Sequence, residues 1–358
     1  MAFQASETRT YDSLLSMTLA NWAKGLEDTI STANKFFYML KRSNSYKSVA
    51  ALGERARYTI RTDQNSTAKV YGNYDPLDVT PQEGFTAAFY NWTQMAVSIS
   101  ISRMEERKNA GEYAMLDLLE EKTDQSLDSI HELWGKATFQ GNGPNTATAI
   151  TTAYTDPTNG RTWFTPMPLL VGTSPTAGTI GGIAANSTNN TGVNFWANQR
   201  TASGAASYAA FFAELDTVRN NCSKGIGGPP NMHFLDQNVY QLYCKALRTF
   251  HHNMSYARAD IPFENVQFYG EPVMWDEYMP NWSGATTVLS TSQGTWLMLN
   301  SKHLQIKYDA ETNFITTPFV RPENQDAKTA QILWYGTLGT GNRRKHGVLD
   351  DIDTTITS

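Results

Sequence analysis

Residues 97–139 read VSISISRMEERKNAGEYAMLDLLEEKTDQSLDSIHELWGKATF, and the architecture of the chain follows from the order of the two halves of this segment. The first half, residues 97–102, alternates apolar side chains with serines, a period of two that predicts a half-buried strand. The second half, from about residue 109 to residue 139, repeats apolar residues at steps of three and four and predicts one long amphipathic helix. A helix with a single apolar stripe must lie across a sheet or another helix. We therefore predict an α+β fold.

The predicted helix is acidic on the faces that lie away from its apolar stripe. The stripe consists of Leu116, Leu119, Thr123, Leu127, Ile130, Trp134 and Ala137. The carboxylates on the other faces are Glu120, Glu121, Asp124, Asp128 and Glu132. We favour hydration as the role of these carboxylates, and a site for a partner is the alternative. Gly141 supplies a stop signal for the helix.

A long, hairpin-like arm precedes the helix, from Arg55 to Arg103. Its first limb, residues 57–62, also alternates apolar with polar side chains. The centre of the arm is rich in turn formers, which are Gly72, Asn73, Asp75, Pro76 and the run Pro81–Gly84. This much extended chain is too long to fold onto a compact core of its own. We predict that the arm projects from its own body and is covered by a sister molecule, which points to assembly rather than to catalysis.

Composition limits the class of protein. The chain has 358 residues, of which 40% are hydrophobic and 18% charged, as in a globular protein of about two lobes. The formal net charge of −5 argues against a dedicated nucleic-acid binder, although a protein that merely encloses nucleic acid needs no basic bias. Aromatic residues reach 12%, which fits an assembly interface and an aromatic-rich core equally well.

The sequence indicates a cytosolic protein without a membrane segment. Residues 1–10 lack the pattern of an export signal, and no stretch approaches eighteen apolar residues. Cys222 and Cys244 are the two cysteines, and so few in a long chain are expected to be free buried thiols.

The remaining elements are predicted from shorter patterns. We expect a helical stretch around Phe36–Leu40, loops and short strands over 146–204 with a strand at Leu169–Val171, helices over 206–221 and 239–247, and strands at 232–235, 268–275 and 296–299. The last ordered element is predicted over Ala330–Leu338, as a strand with both faces covered. The acidic residues Asp350, Asp351 and Asp353 are expected to form a tail.

Signals for chemistry are weak throughout the chain. The run Gly336–Gly341 has the glycine spacing of a phosphate-binding loop, but Asn342 and Arg343 follow where Lys and Ser or Thr are required, so we predict a glycine-rich turn. His251 and His252 are adjacent and point apart in regular structure, and His131-Glu132 has no second histidine at ligand spacing. No nucleophile elbow is found. The sequence therefore offers no catalytic, cofactor-binding or metal-binding residues, and we predict that the protein is not an enzyme.

One basic cluster, Arg343-Arg344-Lys345, leaves two interpretations open. Three charges without interleaved aromatic residues favour a solvated turn, and contact with phosphates is the alternative.

Taken in order, these segments resemble the major capsid protein of tailed bacteriophages, the family with the Hong Kong ninety-seven type fold. The matching segments are Glu54–Tyr58 through Trp92–Ile99 for the extended loop, Asn109–Gly111 for the start of the spine helix, Gly270–Val273 through Pro280 and Thr295–Asn300 for the strands that leave the axial domain, and Ala330–Leu338 for the final peripheral strand. The resemblance covers nearly the whole chain, but none of its motifs is diagnostic alone.

The resemblance implies a specific organisation. It implies an N-terminal arm (1–48), an extended β-hairpin loop (49–103), a peripheral domain with the long spine helix (104–165), an inserted axial domain (166–284) and the returning strands and C-terminus of the peripheral domain (285–358). Copies of the chain would assemble into pentamers and hexamers of an icosahedral virion shell around double-stranded DNA, without sequence-specific binding, in the host cytoplasm.

Further partners implied by the resemblance are portal, decoration and scaffolding proteins. The leader is too short for a fused scaffolding region, so a scaffolding protein is expected to be separate or absent. The alternatives are an encapsulin-like compartment shell, which shares the fold, and a β-rich enzyme or ligand-binding protein.

Overall fold

The computed structural model describes residues 34–50, 53–108, 112–141, 153, 155, 160–189, 191–225, 227–250, 266–279, 282–283, 288–289 and 293–357. For residues 106–108, 112–120, 250, 282–283 and 288–289 it describes the backbone alone. The predicted helix start at Asn109–Gly111 and the pair His251-His252 lie outside the described residues.

The helices are, in chain order, α1 (Lys35–Arg42), α2 (Arg103–Lys108), α3 (Glu112–Phe139), α4 (Met167–Leu170), α5 (Tyr208–Ser223) and α6 (Gln237–Phe250). The strands are β1 (Tyr46–Val49), β2 (Ala56–Arg61), β3 (Phe85–Tyr90), β4 (Thr93–Ser102), β5 (Thr179–Ile180), β6 (Ile183–Ala184), β7 (Gln199–Ala202), β8 (Met232–Leu235), β9 (Val266–Phe268), β10 (Glu271–Trp275), β11 (Trp282–Ser283), β12 (Val288–Leu289), β13 (Gln293–Leu299), β14 (Leu304–Asp309), β15 (Ile315–Thr316), β16 (Ala327–Thr340) and β17 (Gly347–Asp353).

A five-stranded sheet is organised around the long strand β16. Its order is β1-β14-β16-β15, and β4 also pairs with β16. All ten residues of β4 lie antiparallel to β16, from Ser102 opposite Ala327 to Thr93 opposite Gly336. Along β4, Ile99 and Ile101 are buried while Ser98 and Ser100 are exposed, which confirms the predicted alternation.

The long helix α3 lies across this sheet, as its single apolar stripe predicted. Thr123, Ile130, Trp134 and Ala137 are buried, and Leu127 packs against the same core. The helix ends at Phe139, and Gly141 follows with a φ of +57°. Such a left-handed residue after a helix is most easily supplied by glycine.

Aromatic rings fill the core between α3 and the sheet. The centroid of the Trp134 ring lies 4.9 Å from that of Trp334 and 5.9 Å from that of Trp163, both in edge-to-face geometry. Phe37 from α1 packs on the same ring at 5.3 Å. For these residues the core interpretation of the aromatic content is confirmed, because each ring is enclosed within one chain.

A six-stranded mixed sheet links this core to a second one. Its order is β7-β17-β13-β8-β10-β9. In β8, Met232 and Phe234 face the first core, whereas Leu235 packs in the second core beneath α5 and α6. All four residues of β8 are buried, as the sequence predicted for this strand.

The segment that precedes the hairpin is part of the body. Phe36, Phe37 and Leu40 of α1 are buried, and β1 pairs in parallel with β14. The amide N–H of Phe37 donates to the Asn34 side chain at 3.0 Å, which caps the helix.

Two predicted elements were wrong, the strand at Leu169–Val171 and the acidic tail. Leu169 and Leu170 belong to the short helix α4 and not to a strand, because Pro168 occupies its first turn, where the missing N–H costs nothing. The predicted acidic tail is strand β17, and β16 is therefore not the last ordered element. Asp350 is fully buried there because Arg200 donates two bonds to its carboxylate, at 2.9 and 2.7 Å.

Strand β16 also differs from the prediction in length and exposure. The strand is longer than the predicted Ala330–Leu338 and runs from Ala327 to Thr340. Its N-terminal part alternates in burial, since Ala330, Ile332 and Trp334 are buried whereas Gln331 is exposed. One face of this part of the sheet is therefore open in the single chain.

Candidate assembly surface

Strands β2 and β3 form a hairpin whose base is fixed to the body of the same chain. The Tyr58 hydroxyl donates to the Gln305 carbonyl at 3.0 Å, and the Tyr90 hydroxyl donates to the Thr340 carbonyl at 3.3 Å. Burial raises the pKa of both phenols, so both remain protonated and able to donate. The two rings meet edge to face at 5.3 Å over Gly339, where an added Cβ would lie 2.7 Å from either ring.

The projecting arm is therefore shorter than the sequence suggested. The prediction that residues 55–103 as a whole stand away from the body was wrong, because β4 lies in the five-stranded sheet and the hairpin buries Ala56, Tyr58, Ile60, Ala88 and Tyr90. The part that extends beyond the paired strands is the segment 62–84, which we call the projecting loop.

The projecting loop is shaped by its own side chains. Asn65 accepts from the backbone N–H of Thr67 at 2.9 Å, and Asp78 accepts from that of Thr80 at 3.0 Å, so the same turn motif occurs on both limbs. The bond from Thr80 lowers the pKa of Asp78. Ser66 donates to the Gln82 side chain at 2.8 Å and joins the two limbs.

Several large apolar side chains of the projecting loop are exposed. Val70 is 100% exposed, Tyr74 99% and Val79 89%, and Tyr71 and Leu77 are also exposed. Scattered apolar residues on a surface are ordinary, but a group of them on a projecting segment indicates an interaction site. The signal was present in the sequence as apolar residues among turn formers.

The outer face of the hairpin pairs arginines with phenylalanines. Arg57 lies opposite Phe89, and Arg61 lies opposite Phe85, which is 76% exposed. Arginine and aromatic residues are the types most enriched at protein interfaces. Sequence reasoning missed this face because it considered the apolar residues of β2 without their cross-strand neighbours.

Helix α3 presents carboxylates on the face opposite its buried stripe. Glu121, Asp124, Asp128 and Glu132 are all exposed. Glu132 forms an ion pair with Lys136 one turn later, which lowers the pKa of Glu132. In the single chain this face is open to solvent, which fits both hydration and a site for a partner.

The glycine run Gly336–Gly341 does not form the predicted turn. Gly336 and Gly339 lie inside β16, where an added Cβ would meet the Trp334 ring and the two hairpin tyrosines at less than 3 Å. The glycines therefore serve close packing of aromatic rings. A phosphate-binding loop is excluded by this extended geometry.

The basic cluster is buried, so the prediction of a solvated turn was wrong for Arg343 and Lys345. Lys345 is 2% exposed and donates to the carbonyls of Lys224 and Gly225 at 3.0 and 3.1 Å, where it caps the C-terminal end of α5. Arg343 is 1% exposed and bonds to Leu170, Trp196 and Asn198. Neither cation is available to phosphates.

A buried carboxylate lies where β10 meets α3. Asp276 accepts from the backbone N–H of Tyr278 at 3.0 Å, and the Tyr278 ring packs directly over Gly135 of the helix. Burial raises the pKa of Asp276 to about 6, against smaller opposing effects of the Tyr278 bond and of Lys35.

This shift predicts a pH-dependent stability. Between about pH 4 and pH 6 the Asp276 carboxyl holds more protons in the folded chain than in the unfolded chain, so its contribution to stability falls as the pH rises through that window and is constant above it. Asp276→Asn removes the titration and is expected to stabilise the unassembled chain at pH 7.5 by up to about 3 kcal/mol, at 1.4 kcal/mol per unit of pKa. Urea unfolding at pH 4 and pH 7.5 measures this. An equal difference between the two proteins at both pH values would contradict it.

Metal-ligating side chains do not cluster in the described part of the chain. Within these ranges, no group of three His, Cys, Asp or Glu side chains is arranged to hold a metal ion. Cys222 is buried and Cys244 half-buried, and both are free thiols, as predicted. Burial raises the pKa of Cys222 to about 12, so its thiol stays protonated at neutral pH. No described helix combines the length and apolar character needed to cross a membrane.

Solved structures that share this arrangement of elements include capsids. The capsid asymmetric unit of cyanophage A-1(L) superimposes with a TM-score of 0.60 at 14% identity, over 88% of this chain and 92% of that one. This chain has the phage capsid fold. The capsid of a native GTA particle matches with a TM-score of 0.51 at 12% identity, over 87% of this chain and 90% of that one.

The capsid fold also occurs in a third kind of shell. The holo-SrpI encapsulin complex from Synechococcus elongatus PCC 7942 matches with a TM-score of 0.52 at 9% identity, over 89% of each chain. No model of a protein family matches the chain, and no curated protein matches it. The predicted α+β capsid fold is therefore confirmed by structure alone, through matches that span nearly the whole length of both chains.

Proposed function

We propose that the chain is the major capsid protein of a tailed bacteriophage, which assembles into pentamers and hexamers of an icosahedral shell around double-stranded DNA. The observation that carries this proposal is the projecting loop, which presents Val70, Tyr74 and Val79 to solvent on a firmly anchored hairpin. The fold supports the same conclusion, because two of its structural neighbours are capsids.

Docking of the projecting loop would join two different surfaces of the chain. A loop that docks on a different surface of the next molecule makes a heterologous contact, and such contacts close into rings when the rotation between subunits allows it. Each contact can be weak, because every subunit in a closed ring is held by several of them. The anchored base fixes the direction of the loop, so little conformational entropy is lost on docking.

The proposed division of labour follows the fold. The projecting loop with its hairpin is the extended loop, and α3 is the spine helix of the peripheral domain. Helices α5 and α6 with strands β7, β8, β9 and β10 belong to the axial domain, and β13 and β17 join their sheet from the returning C-terminal segment. We propose the segment 1–48 for the N-terminal arm and 49–103 for the extended loop together with β4, which returns to the body. The segments 104–165 and 285–358 form the peripheral domain, and 166–284 forms the axial domain inserted between them.

The proposed partners are copies of the chain itself, with separate scaffolding, portal and decoration proteins as further candidates. The net charge of −5 suits a wall that encloses DNA without condensing on it. The shell would be assembled in the host cytoplasm and would form part of the virion. No catalytic role is proposed, since the structural neighbours are shell proteins.

An encapsulin-like compartment is the second candidate, because the SrpI encapsulin shares the fold. Electron cryo-microscopy of particles made by the full chain in a bacterial host separates the candidates. Closed shells, tubes or ring-shaped capsomers support a shell protein, and cargo protein in place of DNA in native particles supports the compartment. A monodisperse monomer that binds a small ligand would contradict both.

A further inference from the structure

The turn between β9 and β10 places an aromatic residue where the backbone favours asparagine or glycine. Phe268 pairs with Glu271, so the connection consists of the two residues Tyr269 and Gly270. Their φ angles are +52° and +82°, the pattern of a type I′ hairpin turn. Such turns prefer Asn-Gly, because a bulky side chain at a positive φ is strained. Tyr269 is 62% exposed, so burial of its ring does not explain its presence in the turn.

The ring of Tyr269 is held against helix α5. The guanidinium carbon of Arg219 lies over this ring, 4.1 Å from its centroid. Asp216, which precedes Arg219 by three residues on the same helix, raises the pKa of Tyr269, chiefly because its carboxylate accepts a hydrogen bond from the phenol hydroxyl. The Phe268 ring meets that of Tyr269 edge to face at 4.9 Å. These contacts offset part of the backbone strain and define a closed position of the turn.

The closed position leaves two buried donors without acceptors. Arg219 forms no ion pair within the described ranges, and its buried Nε atom has no acceptor there either. His233 is fully buried beneath the Phe268 ring, with the two ring centroids 5.4 Å apart, and its Nδ1 accepts from the Trp296 indole N–H at 3.2 Å. Its Nε2 therefore carries the hydrogen and donates to no described residue. A buried donor without an acceptor is costly, which adds to the strain at Tyr269.

An open position of the turn gives Arg219 a partner. When the Tyr269 ring swings away, Asp216 loses its hydroxyl donor and is free to pair with Arg219, because side chains three residues apart on a helix are neighbours. Glu271 is a second candidate acceptor and forms no ion pair with the described residues. Burial raises the pKa of Glu271 and the charge of Arg219 opposes the rise, which places the two groups near each other. Opening also admits water to the His233 donor.

We propose that the β9–β10 turn is a two-state latch, closed with the Tyr269 ring on Arg219 and open with Arg219 paired to Asp216. The two states lie close in free energy, because the closed state carries a strained residue and two unpaired donors while the open state gives up the ring contacts. The open state presents a free tyrosine at the tip of a hairpin, a residue type enriched among the anchors of protein interfaces. The latch belongs to the single chain, so it is tested without assembled shells.

Fluorine NMR of the unassembled full chain tests the latch, with 3-fluorotyrosine placed at position 269. Two exchanging signals are expected, the minor one at about 1–10% of the population. Arg219→Ala removes the closed contact and is expected to raise the open fraction by at least about threefold. Asp216→Asn keeps an acceptor for the hydroxyl but removes the charge that attracts Arg219, so the open fraction is expected to fall. The matched control is 3-fluorotyrosine at position 335, where the ring stacks on Trp92 within a regular strand and is expected to give one signal.

Thermal unfolding gives a second readout of the same latch. Tyr269→Asn places the preferred residue in the type I′ turn, so it is expected to raise the melting temperature by about 1–3 °C although the ring contacts are lost. Tyr269→Phe keeps the strained backbone and is expected to bring no such rise. The latch is overturned by a single signal at position 269 that neither Arg219→Ala nor Asp216→Asn alters, because the ring is then a fixed structural element. A melting temperature that does not rise in Tyr269→Asn overturns it as well.

Discussion

Removal of residues 64–84 is expected to leave a folded chain that makes no shells. Arg61 and Phe85 are paired across the hairpin, so the deletion leaves Thr62 and Asp63 as a two-residue connection between them. Changing these two residues to Asn and Gly gives the tight turn that such hairpins prefer. The hydrogen bonds of the loop are largely internal, as in the pair Ser66–Gln82, so the free energy of unfolding is expected to change by less than about 1 kcal/mol.

The deletion is best compared with variants that keep the loop at full length. Val70→Ser, Tyr74→Ser and Val79→Ser together remove apolar area and are expected to abolish shells as the deletion does. Gln64→Ala with Glu83→Ala changes exposed polar residues of the same loop and is expected to assemble normally. Negative-stain microscopy counts the shells, and thermal unfolding reports stability. Shells of ordinary form and yield from the deletion variant would remove the loop from assembly.

Arg343→Met is expected to destabilise the fold by about 3–5 kcal/mol, because three buried acceptors lose their donor. The guanidinium donates to the carbonyls of Leu170 and Trp196 at 2.8 and 3.0 Å and to the Asn198 side chain at 3.0 Å. It thus ties α4 and the segment before β7 to the connection between β16 and β17. Burial lowers the pKa of Arg343 to about 10, which still leaves it charged at neutral pH.

Arg344→Met is the matched control, since its side chain is only half-buried and the cluster's buried bonds are made by its neighbours. Its expected change is below about 1 kcal/mol, as for most surface substitutions. Arg343→Lys keeps the charge but cannot direct donors to three acceptors, so an intermediate loss is expected. Urea unfolding of the unassembled variants measures all three. Equal stability of Arg343→Met and the wild type would show that the acceptors find other partners.

Local sequence patterns predicted the strands and helices that have one covered face and one exposed face. The alternation at residues 97–102 and the three- and four-residue steps of α3 were confirmed, because a strand or helix with one covered face must place its apolar residues at that period. Helices α5 and α6 and strand β8 were found for the same reason. The order of these elements was enough to predict the capsid fold.

Patterns whose meaning depends on distant neighbours were misread. Gly336 and Gly339 pack against rings from residues 58, 90 and 334, and the cations Arg343 and Lys345 donate hydrogen bonds to carbonyls far away in sequence. Asp350 was assigned to a tail because its partner, Arg200, lies in another strand. Composition alone gave no sign that these polar groups would be buried.

The sequence by itself determined that the chain is globular, which of its strongly periodic segments form helices and strands, and that a long hairpin precedes a long acidic helix. Only the tertiary structure decided where the hairpin leaves the body, since Tyr58 and Tyr90 anchor its base to residues about 250 positions away in the chain. The same holds for the assembly surface, because Arg57 meets Phe89 only across the paired strands. Periodicity is a local property of a chain, whereas burial and pairing are created by contacts between segments that the sequence keeps far apart.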